Sequence, residues 1–298
     1  MNFWVKLDRW MLRKAFALSR PLLALQFIEI RRTFIMELRR NDDSKPKVLS
    51  QNNFISKSEG YKLFGPDLFN NSKDLIKACQ SIFESRRSEI VDTKTFNKEY
   101  FFNIATLEDL KIHHALIDFA INPFLTDIVS GYLKNPRLHS VGVYYSSVNE
   151  TIEGSQLFHV DGDSLRQMKC FINIWDVDEG MGPFTFIPGS LVDNTLRNRG
   201  LIKNLSDEDL AQIKNSSSFI QVTGKSGSGV FCDTSRCLHQ GSRALKQPRL
   251  VYMVQFVSRP DALLEHKLLK TKKGGHILIT DNLLSSLGIE KTKFESLV

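Results

Sequence analysis

Residues 155–161 read SQLFHVD, and whether this heptapeptide is a strand decides how the chain is built. In a strand, side chains two apart stand on one face, so His159 and Asp161 point the same way while Val160 points the other. On its own the pair is weak, because a His-x-Asp tripeptide arises readily by chance in a chain of 298 residues with seven histidines. Its neighbours supply the context. From Pro136 onward the sequence becomes a series of short runs rich in Val, Ile, Phe and Tyr, broken by Gly, Pro, Asn and Asp: LHSVGVYYSSV (138–148), KCFINIWDV (169–177), GPFTFIPGS (182–190), SFIQVTG (218–224), GVFCD (229–233) and RLVYMVQFVS (249–258). Seven or more short strands in this span predict a mainly β core over about 137–258, a sandwich or jelly roll whose mouth makes a site.

The chain before this core reads differently. Segments 72–90, 107–119 and 122–133 carry apolar residues at three- and four-residue steps and predict packing helices. His113 and His114 are adjacent on the second of these, about 100° apart, and read as surface or structural histidines. The polar stretch 41–60 reads as a linker or arm, and residues 1–45 as a basic amphipathic helical extension ahead of a 46–298 domain. Residues 1–40 hold nine basic and three acidic groups, most of the net +7 of the whole chain. No recognition motif accompanies that charge, so no nucleic-acid partner is expected. The longest apolar run, PLLALQFI (21–28), is far short of the ~20 residues of a membrane span. An amphipathic helix with Trp and Phe fits peripheral contact with an anionic membrane surface, and it fits equally well packing against protein, the commoner use.

Cys79, Cys170, Cys232 and Cys237 have no metal-knuckle spacing and read as reduced thiols, and the N-terminus lacks a small-residue cleavage site, so a cytoplasmic protein is expected. The tail from 260 onward reads as helical, with His266 and His276 at the surface. The glycines of GKSGSG (224–229) open a strand rather than a helix, so they read as a turn and not a phosphate loop.

A metal site needs a third ligand, and HQGSRALKQPR (239–249) offers His239 just after the strand GVFCD. Two histidines and one carboxylate on one face of a metal leave positions open for cosubstrate and oxygen, the arrangement of non-haem iron. The ordered set Gln-x-x-His-x-Asp (156–161), Gly-Pro-Phe with Pro-Gly-Ser (182–190), and His239 with an arginine ten residues later resembles the phytanoyl-CoA dioxygenase family of Fe(II)/2-oxoglutarate-dependent oxygenases, over about residues 100–258.

The resemblance implies a double-stranded β-helix of the jelly-roll, cupin-like kind with helices packed outside, and iron ligands His159, Asp161 and His239. It implies that Arg249 grips the far carboxylate of 2-oxoglutarate, for which a guanidinium fork is suited, with Arg243 the competitor. Gln156 matches a family glutamine that touches the cosubstrate, although its parity is opposite to that of His159 and requires a strand start or bulge. Ser242 and Asn173 are candidates by position. Leu191 stands where the family often has His after Pro-Gly-Ser, and the long N-terminus lies outside the common core.

The implied activity is a dioxygenase reaction on a small-molecule substrate, with Fe(II), 2-oxoglutarate and O2 consumed to give succinate and carbon dioxide, and hydroxylation the expected outcome. Retention of Asp161 disfavours halogenation, whereas desaturation, epimerisation and ring closure stay open. So do a cupin-like barrel using another divalent metal and a barrel that only binds. Tyr144 and Phe171 fall on inward positions, where an aromatic is more often core than contact.

Overall fold

The computed structural model describes residues 54–90, 96, 98–133, 136–161, 166–192, 204–211, 219–241, 243–258 and 275–289. The N-terminal extension 1–45, its boundary, Ser242 and His266 lie outside the described residues. In chain order the elements are β1 (Tyr61–Phe64), α1 (Ser72–Ser85), α2 (Arg87–Ile90), β2 (Phe102–Asn103), α3 (Leu107–Ile112), α4 (Ala115–Ala120), α5 (Pro123–Tyr132), β3 (Pro136–Ser146), β4 (Gln167–Asn173), β5 (Thr185–Ile187), α6 (Asp207–Ala211), β6 (Ile220–Gln221), β7 (Gly229–Cys232), β8 (Leu238–Gln240), β9 (Arg249–Ser258), β10 (Ile277–Leu278) and α7 (Asp281–Ser286).

The strands form two antiparallel sheets. The larger runs β1-β7-β4-β9-β3-β10 with β2 also on β3, and the smaller runs β6-β5-β8. The smaller sheet continues through single bridges: His159 pairs with His239, and Phe158 with Leu205. Neighbours in these sheets are far apart in sequence, as in a jelly roll, so mainly β with flanking helices describes the architecture.

Alternation along the central strand β9 sorts the two faces. Leu250, Tyr252, Val254 and Phe256 pack outward into a cluster that takes in Leu75, Cys79 and Ile82 of α1, Leu116 and Phe119 of α4, and Leu125 and Val129 of α5. Side chains of this size are each worth roughly 1.5–3 kcal/mol when fully buried. The Tyr252 hydroxyl is satisfied by donating to the Leu116 carbonyl at 2.6 Å. Val251 and Met253 point inward and join Tyr144, Phe171 and Val230 of the same sheet, Phe186 of the smaller one and Phe184 just before β5. Phe171 stacks on Phe184 at 4.5 Å, so the two sheets meet through aromatic contact.

The helical stretches are more broken than their periodicity predicts. The segment 107–119 divides at His113 and His114, between α3 and α4. Thr106 and Asp109 cap α3 reciprocally, and the 72–90 segment divides at Arg86, which pairs with Asp109 at 2.7 Å. The tail also differs from expectation. Residues 277–278 pair with Ser140 and Val141 as a sheet edge, and His276 is half-buried with Nδ1 against the Tyr144 hydroxyl rather than at the surface. The 224–229 stretch is a turn, closed by Ser228 N–H to the Lys225 carbonyl at 2.9 Å, leading into β7. All four cysteines are free and buried.

Candidate metal and anion site

His159 and His239 face each other across one backbone rung. Each donates its N–H to the other's carbonyl at 2.9 Å, so two residues 80 apart in sequence are locked as neighbours by main chain alone. The imidazole rings lie 4.3 Å apart between centroids. The same device orients both: Nδ1 of His159 lies 2.9 Å from the Leu157 carbonyl, and Nδ1 of His239 lies 2.9 Å from the Cys237 carbonyl. A carbonyl only accepts, so each Nδ1 carries a proton and Nε2 is the ring nitrogen that faces a ligand.

Asp161 completes the group, its backbone N–H anchored to the Thr234 carbonyl at 2.9 Å. Oδ1 lies 3.7 Å from His159 Nε2, and Oδ2 lies 3.6 Å from His239 Nε2. One donor atom from each of the three residues falls within 4.8 Å of the others, a spacing that a single cation can close. Burial would raise the Asp161 carboxyl, but the opposing charge of Lys169, with the nearby imidazoles, outweighs it and holds the group far below the usual carboxylate range. Burial, then the neighbouring His159, push the His239 imidazole down to about 3, so it is neutral and ready to ligate at ordinary pH.

Arg249 opens β9 on the inner face. It is only 4% exposed, and among the described residues its guanidinium has no hydrogen bond or ion pair; Nε is buried without a partner. Burial lowers its pKa to about 10. Ser146 lies directly opposite it on β3, and Asn173 is one diagonal step away on β4, opposite Val251. Both are buried, and Ser146 Oγ and Asn173 Nδ2 also lack partners. Buried polar atoms are almost always satisfied, so three orphans on neighbouring positions of one face mark a place built for something polar. Gly241 is beside Arg249: a Cβ added there would sit 3.7 Å from a terminal guanidinium nitrogen and close to Phe184. The Phe184 ring in turn lies 5.3 Å from that of His239, which connects the two parts of the site.

The other sequence candidates have different surroundings. Arg243 donates from Nε to the Gln156 carbonyl at 2.6 Å and from Nη1 to Asp207 at 2.5 Å, and lies 5.8 Å over the Phe158 ring. It thereby ties the loop before His159 to α6. Gln156 precedes the strand, in a short helical turn, and its amide serves the loop: Oε1 accepts from Thr151 and from Glu153 N–H, and Nε2 donates to Asn149. Leu191 is exposed at the end of the Pro-Gly-Ser turn.

Two residues of the site were not singled out from sequence, Ser146 and Lys169. Lys169 donates from Nζ to Asp161 Oδ2 at 2.7 Å. The signal for it was a lone charge inside the apolar run KCFINIW, at the parity of Phe171 and Asn173.

No family model matches the chain, and no curated protein matches it. Solved structures similar to it include the non-heme alpha-ketoglutarate-dependent carbocyclase SnoK from nogalamycin biosynthesis, with 17% identity, 75% of this chain and 93% of that one covered, and a TM-score of 0.48. EctD from S. alaskensis with bound Fe is similar at 15% identity, 72% and 82% coverage, and a TM-score of 0.49. HygX from Streptomyces hygroscopicus with nickel and 2-oxoglutarate bound is similar at 14% identity, 74% and 94% coverage, and a TM-score of 0.45.

Proposed function

We propose that the chain is an Fe(II)/2-oxoglutarate-dependent oxygenase, of the kind its motifs resemble in the phytanoyl-CoA dioxygenase family. The observation that carries this reading is the coexistence, in one barrel, of a His-Asp-His donor set and a buried guanidinium with no counter-ion among the described residues. A dicarboxylate that chelates a metal at one end and ends in a carboxylate at the other satisfies both. His159, Asp161 and His239 would hold the iron, leaving the remaining positions to cosubstrate and oxygen. Bound iron supplies the oxidising chemistry: 2-oxoglutarate and O2 are converted to succinate and carbon dioxide as the substrate is oxidised.

The chain's own residues bind and orient. Arg249 would receive the far carboxylate through two charge-assisted hydrogen bonds, with Ser146 and Asn173 as neutral partners nearby. Phe171, Phe184, Val251 and Met253 line the space between the sheets and exclude water from it. The prime substrate is a small molecule, and hydroxylation is the outcome proposed. Gln156 is given no contact with the cosubstrate, because its amide is spent on the 149–156 loop.

The test is succinate release by protein loaded anaerobically with Fe(II) and then given 2-oxoglutarate and O2, beside Asp161→Ala. A signal lost in the variant supports the reaction class. A protein that neither makes succinate nor binds 2-oxoglutarate is a barrel for another metal or for binding alone.

A further inference from the structure

Lys169 occupies the middle of the larger sheet, on β4 between Cys232 of β7 and Gln255 of β9, with its side chain on the inner face. Its Nζ is 2.7 Å from Asp161 Oδ2, and the two side chains are 9% and 15% exposed. A lysine is rarely buried unless paired, and its partner here is the one anionic residue of the donor set. An imidazole ligand brings a lone pair and no negative charge.

Asp161 brings the negative charge of the donor set, and Lys169 and Arg249, both on the inner face, bring positive charge. A dication entering alone meets both of these cations. A dianion entering alone leaves the ligand carboxylate and the dianion in one low-dielectric space. When both enter, the local charge returns to where it began.

We infer that Lys169 is a positioning residue that holds one oxygen of Asp161, leaves the other to bind the metal, and couples metal binding to binding of the dicarboxylate. This rests on the metal and 2-oxoglutarate reading above. Coupling of this kind is reciprocal: whatever factor the dicarboxylate adds to metal affinity, the metal adds to the dicarboxylate. Removing the ammonium leaves a buried carboxylate without its counter-charge, an arrangement that a divalent cation relieves.

The experiment uses the full chain, stripped of metal by chelation and titrated with Mn(II), with free ion followed by its paramagnetic resonance signal, in the absence and presence of saturating 2-oxoglutarate. Wild type is expected to bind Mn(II) at least about tenfold more tightly with 2-oxoglutarate, a coupling of about 1.4 kcal/mol. Lys169→Met and Lys169→Gln are expected to bind Mn(II) alone about tenfold more tightly than wild type and to gain less from 2-oxoglutarate. Lys169→Arg keeps the charge and is expected to behave as wild type; should the Met variant fail to fold, Gln against Arg carries the comparison. If wild type binds Mn(II) but the neutral variants bind it equally or more weakly, the role of Lys169 is overturned and the metal site stands. If wild type binds no Mn(II) under either condition, the metal reading fails, and this inference with it.

Discussion

Replacing Arg249 by Met is expected to move stability and cosubstrate affinity in opposite directions. Burial lowers the guanidinium's pKa to about 10, a shift worth on the order of 3 kcal/mol against the charged form in the folded protein. The sign is set by linkage. The folded pKa is the lower one, so at neutral pH the charge opposes folding, and stability rises with pH only above about 10, until the unfolded chain also loses the proton. Methionine keeps the unbranched stem and removes the charge. The metal-free, cosubstrate-free variant should therefore be at least as stable as wild type, by up to about 3 kcal/mol, or several degrees in Tm.

Titration with 2-oxoglutarate in the presence of Mn(II) should show the opposite. Loss of hydrogen bonds to a charged group weakens binding by about 1.5–3 kcal/mol, roughly ten- to 150-fold in Kd. Differential scanning calorimetry of the apo proteins and calorimetric titration of the metal-loaded ones measure the two effects separately. An Arg249→Met protein that melts several degrees below wild type yet binds 2-oxoglutarate unchanged would refute both the orphaned charge and the anion site.

Arg243→Ala should do the reverse, losing about 1–2 kcal/mol of stability with its bonds to Gln156 and Asp207, while 2-oxoglutarate affinity falls much less than in Arg249→Met; denaturant melts and the same titration check this. In chelator-treated protein, the depressed His239 means that between about pH 4 and 6.5 the unfolded chain binds a proton the native one does not. Stability should thus climb with pH across that window, approaching about 1.4 kcal/mol per unit, and His239→Gln should flatten the slope in melts taken along a pH series. Gly182→Ala should be poorly tolerated: φ is +62° and a Cβ would sit 2.5 Å from the backbone of Arg243 and Ala244, so a loss above about 2 kcal/mol is expected, read as a fall in Tm or in soluble yield.

Much of this architecture is legible in the chain because strand alternation is a local property. The parity of RLVYMVQFVS separates Arg249, Val251 and Met253 from Leu250, Tyr252 and Val254 before any fold is known, and the structure keeps that division. The Gly-Pro-Phe motif acquires a physical reason only in three dimensions, where Gly182 passes against the Arg243–Ala244 backbone. What stays hidden depends on register between distant strands. Nothing near Ser146 announces that it sits opposite Arg249, and Lys169 meets Asp161 only because the fold brings β4 beside the 158–161 segment. The break at His113–His114 escapes a periodicity argument for a different reason: both halves bury apolar residues at helical steps, so the pattern runs on through an interruption that is not apolar.

The rung between His159 and His239 also bears on the order of events in folding. Its two bonds close a loop of about 80 residues, among the entropically later contacts for a chain to make. The donor set is thus incomplete in any partly folded form in which His239 has not yet paired with His159. A metal ion arriving early would find at most the local pair His159 and Asp161, without His239. On the metal reading, a bound ion would therefore act on the far side of the folding barrier, slowing the reopening of a finished barrel more than it speeds assembly.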